Sequence, residues 1–199
     1  MSAEEDKRCQ RAVALAARRA VEAAQRARWD QDIADRVAAL AQFDQAALVF
    51  SYCAVGSEAN PAQIDEAARQ CGKQVAYPIC LERGRMLAAV PDMPEGLRPG
   101  AYGIPAPVPG QCRIVSPEEI DLVLVPCAAF DERCRRLGMG GGYYDRYLPQ
   151  CSRACSVALA YDVQRVSVVV TQTHDVLLDY VVTEAGIYRG NSGENFRRV

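Results

Sequence analysis

The chain has 199 residues, 50% of them hydrophobic and 24% charged, with a formal net charge of −2. That length supports one ordinary domain with a sizeable core, and the balance is that of a soluble globular protein. It implies no basic surface for nucleic acid, and no apolar run approaches the roughly 20 residues of a membrane span. The alanine-rich, charged N-terminus lacks the apolar core of a secretory signal. Its arginines suit a mitochondrial presequence, but Glu4, Glu5 and Asp6 argue against one. The nine cysteines include no Cys-x-x-Cys, and the only histidine is His174. They read as reduced thiols of a cytoplasmic protein, several of them serving as small hydrophobes such as Cys71 and Cys80, with zinc disfavoured.

From about Glu4 to Arg28 the chain is helical by propensity, being mostly Ala, Arg, Glu and Gln. Lys7 and Arg11 stand four apart and share a face, which spacing alone makes a solvated basic face. Asp30 is placed as the cap of a second helix with Ile33, Val37 and Leu40 as its buried stripe. Ala46 to Tyr52 reads as a buried strand. Asn60 is the N-cap of the next helix, with Pro61 at its first position. Ile64, Ala67, Ala68 and Cys71 form that helix's apolar face, and Gly72 ends it. Gln74 to Ile79 and Met86 to Val90 follow as strands. Strand, helix, strand with short joints is a parallel α/β unit, whose ligands bind at the carboxyl ends of strands. Glu58 falls there, although a lone loop glutamate is usually only solvated. Residues 91–110, rich in Pro and Gly, read as an ordered loop without strand or helix. Further strands are expected at 121–126, 156–160 and 180–183, with a polar, mobile tail from Arg189. The domain is therefore bounded at 1–188 and the tail at 189–199.

The most informative stretch is Arg136-Leu-Gly-Met-Gly-Gly-Gly-Tyr-Tyr-Asp145, between the 121–126 strand and the start of a helix at Tyr143. Glycines tolerate positive φ and carry no Cβ, so backbone N–H groups can approach phosphate oxygens. The following helix start adds free N–H groups, and Arg136 adds a planar fork of donors. Tyr143 stands where a P-loop or a dinucleotide fingerprint counted from Gly138 needs glycine. A phosphate or other anion is the favoured ligand, against a flexible turn with none.

Val125-Pro-Cys-Ala-Ala-Phe-Asp131 followed by Arg136 to Arg146 resembles the signature of the 5-formyltetrahydrofolate cyclo-ligase family. The resemblance extends from about Lys7 to Glu184, through Gly56-Ser-Glu58, Tyr102-Gly-Ile-Pro-Ala-Pro107, Gln164, Asp175 and Val182-Thr-Glu184. It implies a single α/β domain with a mainly parallel sheet flanked by helices, a Rossmann-like three-layer arrangement. It also implies ATP-dependent conversion of 5-formyltetrahydrofolate to 5,10-methenyltetrahydrofolate with magnesium, through phosphorylation of the formyl oxygen. By position, Lys7, Arg11, Arg136, Leu137, Gly138, Met139, Gly140, Gly141, Gly142, Tyr143 and Tyr144 would hold the nucleotide, so the solvated reading of the basic pair gives way. Glu58, Met86, Tyr102 and residues 139–143 would hold the folate, with or without a polyglutamate tail. Asp145 and Asp175 would serve magnesium, Asp175 having a turn cap as its alternative, and His174 would have no role. The resemblance also makes 166–170, which has strand propensity, a connecting loop. The oligomeric state is left open. The chain departs from the family at Cys127 and Cys134, usually glycine, at Ala59-Asn60-Pro61, and at Val170. Rival readings are a same-fold ATP-dependent enzyme acting on another formyl or amide substrate, and a non-catalytic folate or nucleotide-binding module.

Overall fold

The computed structural model describes residues 3–94 and 96–190. Two helices open the chain, α1 (Ala3–Ala20) and α2 (Ala23–Ala38), in place of the single helix expected to reach Arg28. The break lies at Val21-Glu22, where Glu22 is extended at φ −61° and ψ 146°. No proline or glycine causes it; α1 buries Lys7 and Arg18, whereas α2 turns Ile33 and Val37 into the main core. One straight helix could not present both faces. Asp30 consequently lies inside α2 and caps nothing. Its carboxylate accepts from the Asn60 N–H at 3.0 Å and the Tyr161 hydroxyl at 2.8 Å.

After the short α3 (Ala41–Gln45) comes β1 (Leu48–Phe50), shorter than expected because only these three residues pair with Gln74–Ala76 on one edge and only Val49 and Phe50 pair with Leu122 and Val123 on the other. The Asn60 side chain accepts from the Ala62 N–H at 3.1 Å in a turn that leads into α4 (Ala62–Gln70), but the capping position is Pro61, one residue later than expected, because the Pro61 carbonyl accepts the first helical bond, from the Asp65 N–H at 2.9 Å. The helix ends at Gly72, φ +74°, where the N–H of Gly72 reaches the Arg69 carbonyl and that of Lys73 reaches Ala68. Those are the paired bonds of a Schellman ending. Cys71 is exposed, a correction to its place on the apolar face; it has left the helical register by the time it reaches that turn.

The remaining strands are β2 (Gln74–Cys80), β3 (Met86–Pro91), β4 (Leu97–Pro99), β5 (Pro105–Pro107), β6 (Cys112–Val115), β7 (Leu122–Pro126), β8 (Ala129–Phe130), β9 (Arg136–Leu137), β10 (Cys155–Leu159), β11 (Tyr180–Val182) and β12 (Ile187–Arg189). Eight form one sheet in the order β12-β11-β10-β7-β1-β2-β3-β6. The five central strands, β11 to β2, are parallel, and β12, β3 and β6 are antiparallel additions at its two sides. Side chains alternate between faces. Leu122 and Leu124 join α2 and α4 in one core, and Val123 and Val125 join Phe50, Tyr147 and Leu178 in the other. The second layer is thinner than the first: α5 (Tyr143–Tyr147) has only five residues and is backed by turns and loops.

Residues 91–110 contain the β4–β5 hairpin, where a loop is expected. Pro99, Pro105 and Pro107 obscure it, yet a two-stranded ribbon consists only of edges, so a missing N–H can face away from the partner. Loop 166–170 is indeed a connection. Cys134, buried in the β8–β9 turn, has φ +60°, so this non-glycine residue carries left-handed strain. Cys127 has no positive φ; its thiol donates to the Ala129 carbonyl at 3.1 Å. Arg189, placed at the start of the tail by sequence, pairs with Tyr180 in the sheet. Residues 191–199, the rest of that tail, lie outside the described residues.

One buried acid has a pH consequence. Asp65 on α4 is 4% exposed and accepts from the Tyr77 hydroxyl at 2.7 Å. Burial raises its pKa from 3.8 to about 6, against the opposing pull of Ser51, Tyr77 and Arg69. The folded state thus binds this proton more tightly than the unfolded state. That stabilisation is complete below the unfolded value and is lost as pH rises through the folded one. Asp65→Asn is expected to gain on the order of 2–3 kcal/mol over the parent at pH 8 and about half that at pH 5. Urea unfolding at both pH values checks it; an equal difference at both would show that Asp65 does not titrate in this range.

Candidate active site

A cleft of about 1020 Å³ opens where β1, β2 and β7 end, bounded by α1, the β4–β5 hairpin and the glycine loop. That is the expected side of a parallel sheet. Its lining includes every residue that the resemblance assigned to a ligand: Lys7, Arg11, Glu58, Met86, Tyr102, Arg136 to Asp145 without a gap, and Asp175. Long-range folding therefore brings together residues 168 positions apart.

At one end, α1 supplies cations. The Lys7 ammonium, 5% exposed, donates to Asp175 Oδ2 at 2.5 Å and to Gln172 Oε1 at 3.1 Å. Burial pushes the Asp175 carboxyl up, but Lys7, the Gln172 N–H and nearby His174 together hold it below its ordinary value. Arg11 Nε donates to the Gly138 carbonyl at 2.8 Å, tying the helix to the loop.

The loop begins on β9. Arg136 is 5% exposed and donates through Nη2 to Asp145 Oδ1 at 3.2 Å. Its guanidinium lies 5.8 Å from the centre of the Tyr144 ring. Its Nε is buried without a hydrogen-bond partner among the described residues. A buried charged donor without an acceptor is costly and calls for an anion. Gly140 and Gly142 adopt φ +100° and +65°, conformations that L side chains rarely take. A Cβ on Gly142 would stand 2.7 Å from Arg146 Nη1, the atom that donates to the Gly141 carbonyl at 2.8 Å. With α5 only five residues long, the loop N–H groups supply the attraction for an anion and the helix dipole supplies little.

At the other end, Glu58 Oε2 accepts from the Val55 N–H at 2.9 Å. Burial raises its pKa, opposed by that N–H and by Arg18. Met86 is buried in the floor. Tyr102 stands at the hairpin tip with φ +59° and is 81% exposed. Its hydroxyl lies 3.3 Å from that of Tyr143, so the hairpin and the glycine loop meet across the cleft. That contact, and then burial, push the Tyr143 phenol up to about 12.

Arg18 is a cleft residue that sequence reasoning missed, although Lys7, Arg11 and Arg18 fall on one helical face. For magnesium, no cluster of three or more His, Cys, Asp or Glu side chains occurs among the described residues. Asp145 and Asp175 each already face a cation. This donor set lacks an all-protein cage but fits an ion that keeps water and takes most of its oxygens from phosphates. Among the described residues no helix is long and apolar enough to cross a membrane.

The family model for 5-formyltetrahydrofolate cyclo-ligases matches residues 3–184. A Haemophilus influenzae 5-formyltetrahydrofolate cyclo-ligase is 35% identical over 111 residues, covering 54% of this chain and 58% of that one. A Mycolicibacterium smegmatis protein of the same name is 28% identical over 141 residues, covering 68% and 72%. The solved structure of Aquifex aeolicus 5,10-methenyltetrahydrofolate synthetase superposes with a TM-score of 0.83 at 28% identity, covering 96% of each chain. With the matched motif residues gathered around one cleft, the chain belongs to the 5-formyltetrahydrofolate cyclo-ligase family.

Proposed function

We propose that the protein closes the ring of 5-formyltetrahydrofolate to 5,10-methenyltetrahydrofolate at the expense of ATP. The formyl oxygen takes the γ-phosphoryl group and ADP departs. Folate N10 then bonds to the formyl carbon and loses its proton, and the C–O bond breaks to release phosphate. Phosphorylation is what makes that oxygen a leaving group, so protein groups need mainly to align reactants and balance charge. The observation that carries this reading is the buried, unpartnered Arg136 donor beside the glycine loop, in a cleft that Lys7, Arg11 and Glu58 also line.

In this reading, Lys7, Arg11, Arg136 and the N–H groups of Gly138 to Tyr144 hold the phosphates. Glu58 accepts hydrogen bonds from the pterin ring, Met86 packs beneath it, and Tyr102 covers it from the hairpin. Asp145 and Asp175 would hold magnesium beside the phosphates, where it neutralises charge. Mixing the protein with 5-formyltetrahydrofolate, magnesium and ATP should produce the methenyl chromophore, and omitting ATP should abolish it. ATP binding without that absorbance would favour another formyl or amide substrate, or a binding module without turnover.

A further inference from the structure

Arg18 has no part in the reading above, yet it is 4% exposed and lines the same cleft. Its Nε donates to Ser57 Oγ at 3.1 Å and its Nη1 to the Cys127 carbonyl at 3.2 Å. Neither partner is charged, and the Cys127 carbonyl already accepts from Gln164 Nε2 at 2.7 Å. A neutral side chain could satisfy both. A buried guanidinium is expensive to desolvate, and burial does lower the Arg18 pKa. The strongest opposing influence is the carboxylate of Glu58, the residue after Ser57. Around Glu58 stand Arg18 from α1, Tyr52 from the end of β1, Cys127 after β7 and Tyr144 from α5. Of these, Arg18 alone is a cation. Among the described residues Glu58 Oε1 and Arg18 Nη2 make no hydrogen bond, so each retains capacity for a ligand.

We propose that Arg18 and Glu58 together read the hydrogen-bonding edge of the bound pterin. Glu58 accepts from the 2-amino and N3–H donors while Arg18 donates to the 4-oxo oxygen. Two donors and one acceptor along the ring edge face an anion and a cation along the cleft wall. Arg18 is thereby a specificity-determining residue, admitting a 4-oxo ring and rejecting a 4-amino ring. The 4-amino group offers no acceptor for this contact and sets its own N–H against the guanidinium, a donor-to-donor clash in a desolvated site, and its ring N3 carries no hydrogen, so Glu58 keeps only the 2-amino donor. A site built to bond one polar group discriminates strongly against a ligand lacking it. This inference rests on the folate reading given above.

The test is equilibrium binding by calorimetry, without ATP, of 5-formyltetrahydrofolate and its 4-amino analogue. The unsubstituted protein is expected to favour the 4-oxo ligand by about 100-fold or more, the worth of two hydrogen bonds to charged groups. Arg18→Met should reduce that preference by about 10-fold or more, leaving the part that Glu58 reads through the N3–H the 4-amino ring lacks. ATP affinity should not change. Arg18→Lys keeps the charge without the fork and should give an intermediate preference, which decides the matter if the methionine variant fails to fold. Equal affinity of the unsubstituted protein for both ligands overturns the proposal. So does an Arg18→Met variant that weakens both equally, since Arg18 would then only pin the Ser57 loop. If the unsubstituted protein forms methenyl product but shows no preference, this inference alone fails. If it binds neither folate and forms no product, the functional reading fails with it.

Discussion

Arg136→Met is expected to lower kcat for ATP-dependent ring closure by about 100- to 1000-fold, the usual loss when a preorganised charged donor is removed from a transferring group. The expectation follows from burial. Arg136 is 5% exposed, and its Nε has no hydrogen-bond partner among the described residues. A donor held dry and unsatisfied costs nothing further to organise when an anion arrives. Methionine fills most of the volume but leaves Asp145 without its cation. Asp145 retains contact with the open cleft, its side chain 20% exposed, which softens the loss of its partner. Thermal unfolding beside single-turnover absorbance separates the two effects. Arg136→Lys keeps the charge but not the planar fork, and should recover only part of the rate. A kcat within 10-fold of the parent, in a folded methionine variant, would remove Arg136 from the phosphoryl site; the 10-fold boundary marks roughly 1.4 kcal/mol of transition-state stabilisation.

Lys7→Ala is expected to raise the KM for ATP by about 10- to 100-fold while leaving the folate Kd within about 3-fold. Lys7 sits at the α1 end of the cleft, bonded to Asp175 and Gln172, with Glu58 and Tyr102 contributed by other elements. Removing the ammonium takes a cation from the phosphate side and releases Asp175 from the partner that most opposes its burial. Two like charges, the carboxylate and the phosphates, would then face each other with less to separate them. Titration of each ligand alone, followed by initial rates, checks this. Equal weakening of both ligands would mean that Lys7 supports the whole cleft through its bond to residues 172–175.

Features written in local chemistry were legible without coordinates. The turn at Asn60-Pro61 leads into α4, and Gly72 ends it, because the N–H bonding and the positive φ at those points depend on a few neighbouring residues. The glycine run marked a loop that lines the cleft for the same reason: Gly140 and Gly142 occupy backbone conformations that other residues avoid. The family motif then added Lys7, Glu58 and Asp175, which spacing alone left as solvated or capping groups.

What local pattern could not show depends on distant partners. Propensity runs unbroken through Val21-Glu22, but burial of Lys7 and Arg18 at the cleft and of Ile33 and Val37 at the sheet divides the helix. The β4–β5 hairpin stays hidden because its prolines look hostile to strands until the ribbon is seen to have only edges. Arg18 reads as one more charge on an alanine-rich helix, and only the folded chain sets it against Ser57, Cys127 and Glu58. The sequence by itself determined the glycine ending of α4, the glycine loop and the family, all of which rest on short-range backbone geometry or on a motif. The tertiary structure alone decided which charges are buried together, because desolvation and charge pairing are set by what surrounds a group in space.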